Sequence, residues 1–357
     1  GSRTQWPTRS EVLAAIPAEC FDRDLGKSLG YLAMSAALTA VIAIAAYTYI
    51  PLTLWALPLW ASYAVVCGTV ATGLWVVAHE CGHGAFSEHK VVNDTIGYVL
   101  HSVLLVPYFS WQRSHAVHHA NTNHMQRGQT HVPKVVGEGT LREKLYNQLE
   151  ETQFGLVNAF THLVFGWPAY LLFGATSGPA YGVTSHIWPY RALEVDQLDL
   201  FPGNWKDKVL QSDVGIAIMV CLLLLWSSQA GPLAVMALYV GPYLVVNFWL
   251  VAITWLQHTH FDLDHYGDED FSFVKGAFST VDRNWGWLLD LLHHKITTTH
   301  VAHHVCERIP HYHGDLCHRD DAPFLEALAH VSSRLALVEP VPGTVDTYRF
   351  PRRASTT

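Results

Sequence analysis

The sequence predicts an all-α integral membrane protein, with four transmembrane helices as two hairpins, further helices in the membrane interface and a histidine-rich cap on the cytoplasmic side. Three observations predict it. Only 15% of the 357 residues are charged, against about 25% in a soluble domain, and half are apolar. Lys and Arg are missing from Ser28 to His89 and again from Val209 to Val274, each gap long enough for a pair of spans. Histidine, unfavourable in a bilayer unless it has a task, occurs 23 times.

A span needs about 20 apolar residues. Residues 28–50 and 58–78 supply the first pair, reversing between Pro51 and Pro58, and 209–230 and 232–257 supply the second, reversing at Gly231-Pro232. Neither turn carries a positive charge. Arg3, Arg9, Arg23 and Lys27 precede the first pair, Lys90 to Lys208 lie between the pairs, and Lys275 to Arg353 follow the second. The positive-inside rule then places both termini and the central segment in the cytoplasm. Two more apolar stretches, 95–109 and 154–175, each contain Pro and His. A single crossing by either would send the histidine clusters to opposite faces, so both are read as interfacial helices. One domain, 1–357, results, its cap drawn from 79–208 and 258–338. The polar tail after Val338 is expected to be loosely held.

Several functions are excluded. A net charge of −8 without a basic block sets nucleic acid aside. Six cysteines, at 20, 67, 81, 221, 306 and 317, form no CxxC pair and argue against a disulfide framework or an iron–sulfur site.

Three clusters remain: His79-Glu-Cys-Gly-His83, His115-Ala-Val-His118-His119 and His300-Val-Ala-His303-His304. Residues i, i+3 and i+4 share a helix face, so each cluster is read as presenting two or three imidazoles to one point. Gln257-His258-Thr-His260 closes the fourth span as the first cluster closes the second. Isolated histidines such as His89, His101, His162, His186 and His330 read as structural. One zinc takes three or four protein ligands, so this surplus implies two metals. Zinc has no redox chemistry, whereas a pair of irons with open positions activates O2, which makes iron the choice. Glu80, Asn121, Asp262, Asp264, Asp282 and Asp290 are near enough to orient imidazoles. His79-Glu80-Cys81-Gly82-His83 also matches HExxH, the pattern of a membrane zinc protease with Glu80 as general base, but that reading leaves most other histidines without a role. A histidine-lined metal transporter would want ionisable groups near the bilayer midplane, where the spans offer only Asn247 and hydroxyls.

The motif series AIPAECF, HECGHGAFS, HSVLLVPYFSWQRSHAVHHANTN, ITWLQHTHFDLDHY, FSTVDRNWG and THVAHHVCERIPHYH covers most of the chain. It resembles the membrane fatty-acid desaturases, and within them the microsomal delta-12 (oleate) group. The resemblance implies a di-iron centre on His79, His83, His115, His118, His119, His300, His303 and His304, with an extra ligand at His260 or His258, His260 being favoured. It implies O2 as co-substrate and a lipid-linked oleoyl substrate, read as a phospholipid. It also implies electrons from cytochrome b5 and its reductase, and residence in the endoplasmic reticulum membrane. Gly84 stands where plant oleate desaturases usually carry another histidine, a choice shared with omega-3 desaturases, so an omega-3 desaturase, acetylenase, conjugase or hydroxylase is the alternative within the family. Removing hydrogens from neighbouring methylenes is beyond any side-chain acid or base, so the metal supplies the oxidising power and the protein the aim. The chain has no GxGxxG, P-loop or haem-attachment motif, so electrons are expected from another protein. An apolar tunnel is expected to hold the acyl chain, gaining roughly 0.8 kcal/mol per buried methylene.

Overall fold

The computed structural model describes residues 6–314, 319–320 and 324–351. Arg3, Cys317, His318 and Arg353 lie outside these described residues.

The chain is a helical membrane bundle with a cap at one end. Helix α1, Arg9–Ala14, opens with a Thr8–Glu11 capping box, and α2, Leu25–Tyr49, starts where the Asp24 side chain accepts from Lys27 N. After Pro51, α3 runs unbroken over Leu57–His83 with a Pro in its first turn. It stops at Gly84, whose φ of 71° is the left-handed C-cap that glycine adopts without a Cβ penalty. Helices α4, Lys90–Val103, and α5, Tyr108–Ala120, follow. The single helix expected over 95–109 is thus two, broken at Leu105, with φ of 53°, and at Pro107, which caps α5 because it has no N–H to give a helix interior. Next come α6, Leu141–Gln148, and α7, Glu151–Phe173. Helix α8, Trp205–Ala230, turns at Gly231 into α9, Pro232–Val235, which continues through a π-helical turn, Met236–Val240, into α10, Gly241–Gln257. Short helices finish the chain: α11, Phe273–Phe278; α12, Trp287–Leu292; α13, His300–Val305; and α14, Phe324–Arg334.

Five helical rods among the described residues are long and apolar enough to cross a membrane, one more than the four expected: Leu25–Tyr49, Leu54–His83, Glu151–Phe173, Trp205–Ala230 and Pro232–Gln257. The addition is α7, read from sequence as interfacial. Helix α3 is central, packed against α2, α4 and α10, while α8 lies on α4 and α5, and α7 on α10 and α14. Their shared core contains Trp75, Val76, Trp111, Trp167, Trp249, Leu250, Val251 and Ile296. Val41 and Ile44 on α2, and Leu222 and Leu224 on α8, stay exposed as lipid-facing residues do. The chain is an integral membrane protein.

Both ends of α7 are tied to the cap. Glu151 pairs with Arg334 and Asn158 donates to Ser332 O near its start, while just past its end Ser177 donates to Gln129 O and Val132 N to Thr176 O. The cap also holds short strands: β1, Lys134–Val135; β2, Asp264–Tyr266; β3, Asp282–Arg283; β4, Arg319–Asp320; β5, Leu337–Pro340; and β6, Thr347–Arg349. Four of them form a sheet in the order β1-β5-β6-β2. The segment after Val338 is therefore held rather than loose as far as Arg349. Its alternate residues cover Trp255 and Leu256 through Phe350, which polarity alone concealed.

Candidate metal centre

Four helix ends deliver the histidines. The last turn of α3 carries His83 one turn beyond His79, α5 ends in His115, His118 and His119, α10 hands over directly to His258, and α13 begins at His300. Close packing sets their positions. A Cβ on Gly82 would lie 2.6 Å from Trp111 Cζ3, so α3 and α5 meet at a distance only glycine permits. Trp111 in turn stacks on the His115 ring at 4.4 Å.

The imidazoles form two groups. His79, His83, His115, His119 and His303 place ligand nitrogens within 4.8 Å of one another, and His118, His258 and His304 do the same. His300 joins the second group, its Nε2 3.0 Å from that of His258. Two imidazoles of each cluster meet at one point, within the expected two or three, and each HxxHH cluster also serves a second point. In each HxxHH helix the i,i+4 pair turns to one group and the i+3 residue to the other. His115 and His119 face the first group and His118 the second, whereas His300 and His304 face the second and His303 the first. A helical step of 100° explains the split, and the two boxes use it in opposite senses.

These residues fit a metal pair. Nε2 atoms of His79 and His83, of His115 and His119, and of His118 and His258 lie 3.2 Å apart, about the edge of a coordination shell with bonds of roughly 2.1 Å. Nε2 of His303 and of His304 is buried with no hydrogen-bond partner. Burial pushes His118 and His303 down to about 3, so both rings are neutral, the form that binds metal.

Outer contacts fix the tautomers. His79 Nδ1 donates to Glu80 Oε1 at 3.2 Å, leaving Nε2 bare, and Glu80 Oε2 accepts from His311 N at 3.1 Å. Both carboxylate oxygens are thus engaged behind His79, away from the cluster, where a protease base would be of no use. The Thr122 hydroxyl donates to the His118 and His119 carbonyls, so its oxygen accepts from His304 Nδ1 at 3.0 Å. Asp282 Oδ1 accepts from Val301 N at 2.9 Å and so caps α13. Asn121 bonds Val117 O, Asp264 pairs with Arg349, and Asp290 accepts from Thr298, so among the described residues these three are bonded to no imidazole. Asp262 stands beside His260 rather than the groups. Sequence reasoning missed Thr122, one turn after His118, and Arg283, which is buried and ties the end of α10 in place through Leu256 O and Thr259 O. Glu80→Ala is expected to lower metal affinity by about 10–100-fold, the usual effect of losing such a partner, measured by competition with a chelator.

Of the two candidates for the extra ligand, His258 joins the second group and His260 joins neither. His258 is buried between His118 and His300, whereas His260 lies past the end of α10 with its Nδ1 accepting from Asp262 N at 3.2 Å and its ring against Phe261. The histidines read as structural stay outside both groups. His101 sits among Trp75, Trp111 and Tyr108, His162 stacks on Trp255, and His186 bonds Ser114.

An apolar cavity adjoins both groups. His79, His115, His118, His258 and His300 line it, together with Trp75 and Val76 of α3, Phe165, Gly166 and Ala169 of α7, and Leu250 and Val251 of α10. His131, whose Nε2 bonds Thr254 Oγ1 at 3.0 Å, also lines it. The cavity walls are mostly apolar, with Thr72, Thr130, Thr161, Thr176, Thr254 and Gln257 as further polar lining beside the histidines.

A family model described as fatty acid desaturase matches residues 54–334. The chain is 37% identical over 351 residues to the omega-6 fatty acid desaturase, endoplasmic reticulum isozyme 1, of Glycine max, covering 94% of this chain and 88% of that one. It is 37% identical to the delta(12)-acyl-lipid-desaturase of Punica granatum over the same shares of both chains. Identity to the delta(12) fatty acid desaturase of Mortierella alpina is 40% over 330 residues, 86% of this chain and 79% of that one.

Proposed function

This chain belongs to the fatty acid desaturase family and is an oxidoreductase acting on acyl lipids, and from that premise we propose that it forms the delta-12 double bond in a phospholipid-linked oleoyl chain. The observation that carries the proposal is the convergence of nine imidazoles in two groups, five of which line one apolar cavity. The relatives' delta-12 and omega-6 names support the position of the double bond. An iron pair bound by the two groups, with O2 as co-substrate, would supply the oxidising power that unactivated methylenes require. The protein's own share is orientation. Glu80 and Thr122 hold the His79 and His304 rings, Asp282 caps the helix that carries the third cluster, and Trp75, Val76, Leu250 and Val251 keep water from the acyl chain. Electrons come from cytochrome b5 and its reductase, and the membrane is that of the endoplasmic reticulum, as the Glycine max relative's name suggests.

We place four helices across the bilayer: α2, α3, α8, and α9 with α10. The histidine ends of α3 and α10 support this, as does the bond from Asp24 N, at the start of α2, to the Tyr312 hydroxyl of the cap. Phe109 N donates to Ser212 Oγ near the start of α8, so that end also meets the histidine side. Helix α7 lies in the interface, because both its ends are bonded to cap segments on that side, and the cap is cytoplasmic by the positive-inside rule.

The test is product analysis of dioleoylphosphatidylcholine incubated with purified enzyme, O2 and reduced cytochrome b5. A linoleoyl product is expected. A hydroxylated or acetylenic product would assign the chain to another branch of the family. Ala169→Trp is expected to exclude about two or three methylenes from the cavity, each worth roughly 0.8 kcal/mol, and so to lower kcat/KM by about 10–50-fold with bound iron unchanged.

A further inference from the structure

Arg142, in the first turn of α6, is half-buried and has no carboxylate partner among the described residues. By contrast Arg334 pairs with Glu151 and Arg349 with Asp264. The Arg142 guanidinium gives Nε–H to Ala336 O at 3.1 Å and Nη1–H to His162 Nε2 at 3.3 Å. His162 can accept because its own proton is on Nδ1, which donates to Asn158 O at 3.0 Å. Burial alone pushes the Arg142 guanidinium down to about 10. A half-buried cation without a counter-charge is unfavourable until an anion arrives, and the planar guanidinium still has N–H groups to offer one.

The place of this cation gives the anion its chemistry. His162 lines the acyl cavity, and so does Phe165 one turn further along α7. Phe165 is also 55% exposed, on the same apolar outer face as Phe160 and Val164. The cavity therefore meets the apolar outer surface at Phe165, one helical turn from His162, the residue to which Arg142 is bonded. We propose that Arg142, held by His162, binds the phosphate of the phospholipid whose acyl chain enters the cavity past Phe165. This rests on the desaturase reading for the acyl chain, and it adds the site that recognises the carrier. A phosphate could also belong to a soluble acyl-coenzyme A, but an opening on the lipid-facing surface favours the phospholipid. Bidentate Arg–phosphate contact would fix the depth to which the chain is drawn in, and hence which carbons reach the histidines.

Equilibrium affinities of the full chain in detergent, for dioleoylphosphatidylcholine, dioleoylglycerol and oleoyl-coenzyme A, test this. The wild-type protein is expected to bind the phospholipid at least about tenfold more tightly than the diacylglycerol, as a charge-assisted pair would give. Arg142→Gln should erase that preference, and Arg142→Lys should restore part of it, keeping the charge but not the fork. Equal wild-type affinity for the two lipids overturns the proposal without any variant, and so does an Arg142→Gln protein that retains the preference. Weakening of oleoyl-coenzyme A alone would overturn the lipid as occupant. Because the readout is binding, an Arg142-dependent preference in a protein that forms no double bond would refute the desaturase reading and leave the phosphate site standing.

Discussion

Replacing His258 with alanine is expected to cut double-bond formation by at least about 100-fold and to remove metal from the second histidine group, whereas the same change at His260 leaves both within about twofold. His258 Nε2 lies 3.2 Å from His118 Nε2 and 3.0 Å from His300 Nε2, in a site only 2% exposed. Its loss leaves His118, His300 and His304 to hold an ion that four imidazoles would otherwise hold. His260 bonds its own turn through Nδ1, packs on Phe261 and belongs to neither histidine group. Iron per chain and linoleoyl product, measured on both variants, check this. Iron lost from the His260 variant and kept by the His258 variant would reverse the assignment.

The second large effect is on stability. Arg283 is 1% exposed and donates to Leu256 O at 2.8 Å and to Thr259 O at 3.3 Å, while its own N–H donates to Thr297 O at 2.7 Å. It thus clamps the end of α10 to the loop that leads into α13. Arg283→Met keeps much of the packing but strands buried carbonyls, each at about 1–3 kcal/mol, for a total of roughly 3–5 kcal/mol. A lower melting temperature in detergent and faster loss of iron to a chelator are expected together, because His258 and the third box depend on the same clamp. A variant that melts with the wild type would show that the clamp is dispensable.

Much of this was legible in the sequence, for reasons that also mark where legibility stops. Lys- and Arg-free gaps located the apolar rods, because the cost of a charge in lipid leaves a pattern every span must obey. The spacing of His115, His118 and His119 announced a helix of imidazoles. It could not announce that His118 serves a different group from its neighbours, since that depends on where α13 and α10 lie, and such placement is tertiary. His260 was favoured over His258 because helix ends are uncertain by a residue or two, and α10 ends at Gln257, directly before His258. Leu105 carried no signal at all, although Pro107 did. Thr122 and Arg283 escaped notice because hydrogen bonds from a threonine to His304 and from an arginine to Leu256 join residues far apart in the chain. The tail beyond Val338 was misjudged because two strand pairings of β6, with β2 and with β5, hold it, and such long-range pairings leave no mark on local polarity.

The most direct measurement is the metal content and coordination of the purified chain, by elemental analysis and X-ray absorption. Two irons per chain, each in a nitrogen shell at roughly 2.1 Å with no sulfur, is the predicted result, falling when His118 or His303 is replaced by alanine. A single zinc per chain, or iron that remains fully bound after both replacements, would contradict it.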